Sequence, residues 1–371
     1  KNSLTVLPII YQLIFALHYE LIDHVEYFCY YPGNVSCTKE VRTPSVSVLL
    51  YILACVLVVL TFCGNLVVII SISHFKQLHT PTNLLVLSLA VADFFVGVLI
   101  MPIMIIQSIE TCWYFGEVFC FIYSFFLALL TTTSIINLAV IAIDRYIAIC
   151  HPLTYSNKIT VQIGAMAVAA IWISSITYTV TMILSGGNTE GVIGVDPCPG
   201  DCTSVFNSTW ATIDLIYSFL LPVFIMVTLY AKIFLIAKRN SLGKKNISKK
   251  SERKAAKTLG IVVTVFILCW LPFYVCTLLN QFMNVMVPSA VAWACLWITY
   301  VNSGLNPIIY ALFYPWFRKS FKLLITCKIC SPGSSLISFI EIFQGLVFQH
   351  FHAPTSSWNL RQSPLEEHEH L

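Results

Sequence analysis

Seven runs of predominantly apolar residues divide the chain, near 45–73, 83–107, 117–149, 160–184, 208–236, 257–283 and 290–314. A helix rising about 1.5 Å per residue needs about 20 such residues to cross a hydrocarbon layer roughly 30 Å thick. Backbone groups in lipid must find partners within their own segment, so these runs are expected to be helices and not loops or an open sheet. The fold class that follows is an all-α membrane protein, a seven-transmembrane-helix bundle. Composition agrees, since 58% of the residues are hydrophobic and 10% are charged, too apolar for an ordinary water-soluble globule. The expected organisation is an outer segment at 1–44, the helical domain with a short amphipathic cytoplasmic helix at 45–325, and a tail at 326–371.

Orientation comes from the placement of Lys and Arg, which are retained on the cytoplasmic side near span ends. The connection between the fifth and sixth runs holds Lys238, Arg239, Lys244, Lys245, Lys249, Lys250, Arg253, Lys254 and Lys257, whereas 108–116, 185–207 and 284–289 hold no basic residue. Those three connections are expected outside, which puts the N-terminus outside and the C-terminus inside. The net charge of +4 is then a property of cytoplasmic loops and no footprint for nucleic acid. Asn34-Val35-Ser36 is a glycosylation sequon in the outer segment, and Asn207-Ser208-Thr209 lies at the edge of the fifth run, close to the bilayer. The apolar stretches 4–17 and 337–348 are assigned no role.

Cys37, Cys112, Cys120, Cys198 and Cys202 fall on the oxidising side. No Cys/His cluster has zinc-ligand spacing. Cys327 and Cys330 follow the seventh run, where either palmitoylation or free thiols would fit. Enzyme chemistry is not supported, because no nucleophile with its base, metal cluster or phosphate-binding loop is present. A transporter would also be polytopic with buried acids, but the chain has no inverted repeat or pair of broken helices.

Asp144-Arg145-Tyr146 ends the third run, Cys269-Trp270-Leu271-Pro272 lies in the sixth, and Asn306-Pro307-Ile308-Ile309-Tyr310 lies in the seventh. Together with Asn65, Asp93 and Trp172 in the first, second and fourth runs, this set resembles the landmarks of rhodopsin-like G-protein-coupled receptors. The likeness covers roughly 45–325. The stretch Tyr300 to Phe317, with Asn302-Ser303 ahead of Asn306-Pro307 and Tyr314-Pro315-Trp316-Phe317 behind it, is similar to the seventh-helix fingerprint of trace-amine-associated receptors. The resemblance implies a receptor in the plasma membrane that binds a small extracellular amine, serves chemosensation, and raises cAMP through a stimulatory G protein. It implies disulfides Cys120–Cys202 and Cys37–Cys198, neither of which spacing alone could establish.

Ionisable groups inside a bilayer are costly and call for an explanation. Asp144 and Arg145 sit at the cytoplasmic end of the third run, where Arg145 could also pair with Glu252 and so hold the third and sixth helices in a resting state. Release of that tie would supply the two-state element a switch requires; Tyr146, Asn306, Pro307 and Tyr310 belong to the same switch by resemblance. The same resemblance implies that Asp93 shares a small polar cavity with Asn65, Ser134, Ser303 and Asn306. The family implies a sodium ion held there by Asp93, Ser134 and Asn306, the alternative being a protonated Asp93, and no other cofactor.

Asp214 lies about five residues into the fifth run and eight before Pro222, roughly 7–10 Å below the outer boundary at helical rise. The favourable dipole of a helix start fades beyond the first turn. No Lys or Arg lies in the outer half of any run, so the charge is expected to lack a protein partner and to take a ligand cation. Most aminergic receptors, by resemblance, carry their anchoring acid where this chain has Leu127. Some members expanded in fish lack that acid and carry one at the position of Asp214. The reading is therefore an ammonium bound toward the fifth helix, with a non-amine ligand as the alternative. Thr131, Trp270, Phe273, Tyr274, Trp297 and Tyr300 are the other expected walls, since aromatic faces attract a cation by about 0.5–2 kcal/mol.

Overall fold

Proline placement explains where several of the helices start or bend. The computed structural model describes residues 27–30, 36–39, 42–186, 202, 207–241, 248–283, 285–313 and 315–326. Helix α1 (Pro44–His74) opens with Pro44 in its first turn, where the missing N–H would have had no partner anyway. Helix α2 is built from Pro81–Phe95, a π turn at Val96–Ile100 and Met101–Glu110, with the Thr80 hydroxyl accepting from the Asn83 N–H at its start. Helix α3 (Gly116–Cys150) is followed by a short helix, Pro152–Lys158, and by α4 (Val161–Leu184). Helix α5 comprises Ser208–Asp214, a π turn at Leu215–Leu220 and Leu221–Ser241. Helices α6 (Ser248–Phe282), α7 (Ser289–Phe313) and the short α8 (Pro315–Ile325) complete the described bundle.

The two π turns share one cause. Pro102 and Pro222 have no N–H to donate back along the helix, and each ring crowds the carbonyl four residues earlier. The preceding turn widens, so that Met101 N–H reaches Val96 O and Leu221 N–H reaches Ile216 O. Such a bulge rotates everything before it relative to everything after it. In α5 the segment so rotated ends at Asp214.

The bundle has the expected seven long helices, and α1 through α6 are long and apolar enough to cross a membrane. Helix α7 falls short of that measure because Asn302, Ser303 and Asn306 interrupt it, yet all three are buried at 3–6% exposure and face protein, not lipid. Helix α6 begins at Ser248, ahead of the apolar run that starts at 257. Lys, Glu and Ala are good helix formers, and hydropathy cannot register a helix that continues beyond the bilayer. Ahead of α1 lies a small antiparallel hairpin, β1 (Tyr27–Tyr30) with β2 (Ser36–Lys39), pairing Cys29 with Cys37 in register.

Outside, Cys29 is joined to Cys112 and Cys120 to Cys202. The second pairing is the one the resemblance implied. The first uses Cys29, which the sequence reading passed over, and fastens the hairpin to the connection between α2 and α3. Cys198, the expected partner of Cys37, lies outside the described residues. Arg42 donates to the carbonyl oxygens of Ser108 at 2.7 Å and Ile109 at 2.9 Å, a cation at the electronegative end of α2.

Inside, glycines allow α1 and α7 to touch. A Cβ on Gly64 would stand 2.7 Å from Pro307 Cβ, and one on Gly304 would stand 2.9 Å from Thr61 Oγ1. Small residues at such crossings let backbones approach where lipid offers no hydrophobic drive. Among the described residues the largest apolar cluster joins α3, α5 and α6 through Ile135, Leu138, Phe219, Met226, Phe266 and Trp270.

Candidate ligand site and cytoplasmic switch

A cavity of about 130 Å³ opens among α3, α4, α5, α6 and α7, lined by residues that include Leu127, Thr131, Thr132, Asp214, Trp270, Phe273, Tyr274 and Tyr300. Its size suits a ligand of roughly one aromatic ring, since a cavity of about 150 Å³ accepts benzene. Trp297, expected as a wall, is not among the lining residues. Its indole N–H donates to Ser108 Oγ at 3.1 Å, and the ring packs toward α1 and α2. One helical step of 100° separates Trp297 from Leu296, which does line the cavity, and depth alone could not tell their faces apart.

Asp214 is surrounded by donors. Its Oδ1 accepts from Tyr178 at 2.9 Å and from Ser218 at 2.8 Å, and its Oδ2 accepts from Tyr274 at 3.0 Å. The expectation that the acid lacks protein partners is corrected: three hydroxyl groups from α4, α5 and α6 satisfy it. What those groups do not supply is charge, for among the described residues no Lys, Arg or His lines the cavity. Ser218 sits four residues on from Asp214, a spacing that places two side chains on one helix face; that signal was legible in the sequence. Tyr178 was not, because its contact crosses from α4 and follows from helix packing alone.

Opposite the acid the walls are mainly apolar, with Leu127, Ala128, Ile135 and Leu296 among them. Thr131 turns its hydroxyl to the backbone carbonyls of Leu127 and Ala128. The indole N–H of Trp270 and the hydroxyl of Tyr300 are buried without a hydrogen-bond partner among the described residues. Tyr274 meets Phe273 edge to face at 5.3 Å and Trp270 at 6.1 Å, so the α6 wall is a continuous set of rings, with Phe219 of α5 stacked on Tyr274 at 4.6 Å.

Deeper in the bundle, Asp93 is fully buried. Its Oδ1 accepts from Ser134 at 2.8 Å and Ser303 at 2.7 Å, and its Oδ2 accepts from Asn306 at 2.7 Å. Asn65, expected beside it, instead donates to the backbone of Thr61 and Ser303, leaving its own carbonyl oxygen unpartnered. Asn306 offers Asp93 its amide N–H, so it orients the carboxylate instead of presenting an oxygen to a cation. The oxygens of Asp93, Ser134 and Ser303 form a hard donor set of the kind small cations prefer.

At the cytoplasmic end, Arg145 pairs with its neighbour. Its Nη2 lies 2.6 Å from Asp144 Oδ2, and it also donates to Thr82 Oγ1 and to Tyr155 at 3.3 Å. Asp144 accepts from Thr82 at 2.7 Å and from Tyr155 at 3.0 Å. Burial raises the Tyr155 phenol above its ordinary value, which keeps it a donor. The tie thus runs from α3 to α2 and to the short helix Pro152–Lys158. Glu252 belongs to α6, but its side chain lies outside the described residues. Tyr146 packs against the α3–α5–α6 cluster, Pro307 meets Gly64, and Tyr310 is buried with Val68, Ile72 and Phe317 between α1, α2 and α8.

Residues 64–310 match the family model of the 7 transmembrane receptor (rhodopsin family). The chain is 44% identical to trace amine-associated receptor 13c of Danio rerio over 329 residues, which is 85% of this chain and 96% of that protein. It is 42% identical to trace amine-associated receptor 8a of Rattus norvegicus over 332 residues, 84% of this chain and 96% of the relative. With trace amine-associated receptor 7d of Mus musculus the identity is 41% over 324 residues, 83% of this chain and 90% of the relative.

Proposed function

Because the chain belongs to the trace amine-associated receptors of the rhodopsin family, we propose that it detects small extracellular amines through Asp214 and reports them through a stimulatory G protein and cAMP, in a chemosensory role. As a member of that family it is a multi-pass receptor of the plasma membrane that works with a heterotrimeric G protein, and it is not an enzyme. The observation that carries the ligand reading is the Asp214 carboxylate on a cavity wall where, among the described residues, no cationic side chain lines the cavity. Hydroxyl donors can orient such a group, but an ammonium adds the opposite charge, which counts for far more in a dry cavity than in water. The rings of Phe273 and Tyr274 beside the acid favour a cation as well.

A second reading rests on the same three hydrogen bonds. Asp214 ties α4, α5 and α6 together, so it would serve as a structural knot while the ligand is a neutral molecule held by Trp270 and Tyr300. A dose-response panel of alkyl and aryl amines against neutral isosteres, read as cAMP in cells expressing the chain, separates the two. Amines alone are expected to act. A response to the neutral isosteres at equal potency would overturn the amine reading, and a calcium response without cAMP would overturn the stimulatory coupling.

At the buried polar cluster around Asp93 a sodium ion is proposed, held by Asp93 with Ser134 and Ser303. When bound, it would balance the buried carboxylate, while Asn306 and the serines orient it.

A further inference from the structure

Cys276 on α6 and Cys295 on α7 stand with their sulfur atoms 3.4 Å apart, the thiol of Cys276 donating to Cys295. Neither is part of a disulfide; both are free thiols. Their depth matches. Cys276 lies six residues before the end of α6 at Phe282 and Cys295 six residues after the start of α7 at Ser289, so each is about 9 Å along its helix from the outer end. Each also lies close to the cavity in register: Phe273, three residues before Cys276, and Thr299, four residues after Cys295, both line it. Side chains three or four residues apart share a helix face, so the pair sits about one turn outside the ligand site, on the side that faces the oxidising exterior.

From this juxtaposition we propose that Cys276 and Cys295 are a redox modification site, a thiol pair that a peroxide converts to a disulfide joining α6 to α7 at the rim of the cavity. Closing the bond requires the sulfurs to approach from 3.4 Å to about 2.05 Å. That is a small movement for helices already packed along one another. Cys276 is the more exposed sulfur, while Cys295, which accepts the S–H of Cys276, has the more thiolate character, so either can react first. Hydrogen peroxide oxidises one thiol to a sulfenic acid and is itself reduced to water; the other thiol then attacks that sulfur, the S–S bond forms, the S–O bond breaks and a second water leaves. The two thiols lose two protons and two electrons in all, and one peroxide accepts them. Packed interfaces hold discrete arrangements and do not deform continuously. A covalent tie between α6 and α7 therefore selects among pocket shapes, and the expected consequence is lower sensitivity to agonist.

The test uses the full-length receptor in membranes. After treatment with hydrogen peroxide and alkylation of remaining thiols, non-reducing peptide mapping is expected to find a Cys276–Cys295 cross-linked peptide that reductant releases. This arm needs no agonist and stands apart from the amine reading. Free thiols at both positions in oxidised wild type, or either cysteine cross-linked elsewhere, would overturn the site. In the signalling arm, oxidation is expected to weaken agonist potency by about fivefold or more, the lower end of ordinary coupling between sites. Cys276→Ser and Cys295→Ser should each be insensitive to peroxide. A cross-link that forms without moving potency would overturn the coupling to the ligand site, and an equal loss of potency in both serine variants would trace the effect to other thiols.

Discussion

Tyr274 of α6 donates a 3.0 Å hydrogen bond to Oδ2 of Asp214 on α5, so the acid proposed to hold the ligand is tied directly to the helix that carries Trp270 and Pro272. Leaving one member of a desolvated charge pair unmatched costs about 2–5 kcal/mol, so Asp214→Ala is expected to weaken an amine agonist by roughly 30-fold or more. Asp214→Asn removes the charge at nearly constant volume and should behave likewise, while Asp214→Glu keeps part of the response. Tyr274→Phe removes one neutral donor and should cost less than Asp214→Asn. Potency is read against surface expression. A loss within about threefold for Asp214→Asn, under about 0.7 kcal/mol, is too little for such a pair and would move the anchor elsewhere.

Leu127 and Asp214 line the same cavity. Leu127→Asp is therefore expected to shift preference toward ligands with two ammonium groups, one for each helix. The measurement is the ratio of diamine to monoamine potency in the variant and the parent. An unchanged ratio would mean that the α3 wall does not face the bound ligand.

Asp144 holds Arg145 at 2.6 Å within a set shared with Thr82 and Tyr155. Asp144→Asn weakens that hold and should raise basal cAMP, since only the resting arrangement loses a contact. If Glu252 also restrains Arg145, Glu252→Ala should do the same. Basal activity is compared at matched surface expression, and two silent variants would remove Arg145 from the resting-state restraint.

The Cys120–Cys202 disulfide closes a separation of 82 residues, and the backbone carbonyl of Cys202 accepts from the Gln107 side chain. Loss of a native disulfide costs about 2–5 kcal/mol. Cys120→Ser and Cys202→Ser should each abolish surface expression, and Cys29→Ser and Cys112→Ser should lower it by loosening the hairpin. Non-reducing peptide maps showing Cys120 as a free thiol in folded receptor would refute the pairing.

Gly64→Ala places a methyl group against Pro307. Overpacking of this kind costs about 1–3 kcal/mol, so the variant should unfold at a lower temperature in a thermal scan of solubilised receptor. Unchanged thermal stability would show that α1 and α7 can part without penalty.

What the residue order determined by itself was the class of object. Seven apolar runs and a one-sided placement of Lys and Arg specify spans and orientation because lipid is indifferent to which residues are neighbours and responds to length, hydropathy and charge. The family landmarks were legible for a similar reason, since each is a short local string such as Asp144-Arg145-Tyr146. The tertiary structure decided which face of each helix looks inward. That choice set Leu296 and not Trp297 on the cavity wall, turned Asn65 from Asp93 to the α7 backbone, brought Tyr178 from α4 to Asp214, and put Cys276 against Cys295. The π turn before Pro222 adds to the rotation of the segment that ends at Asp214, and helices that meet across a bundle do so by packing ridges into grooves, a relation between segments distant in the chain that no single run encodes.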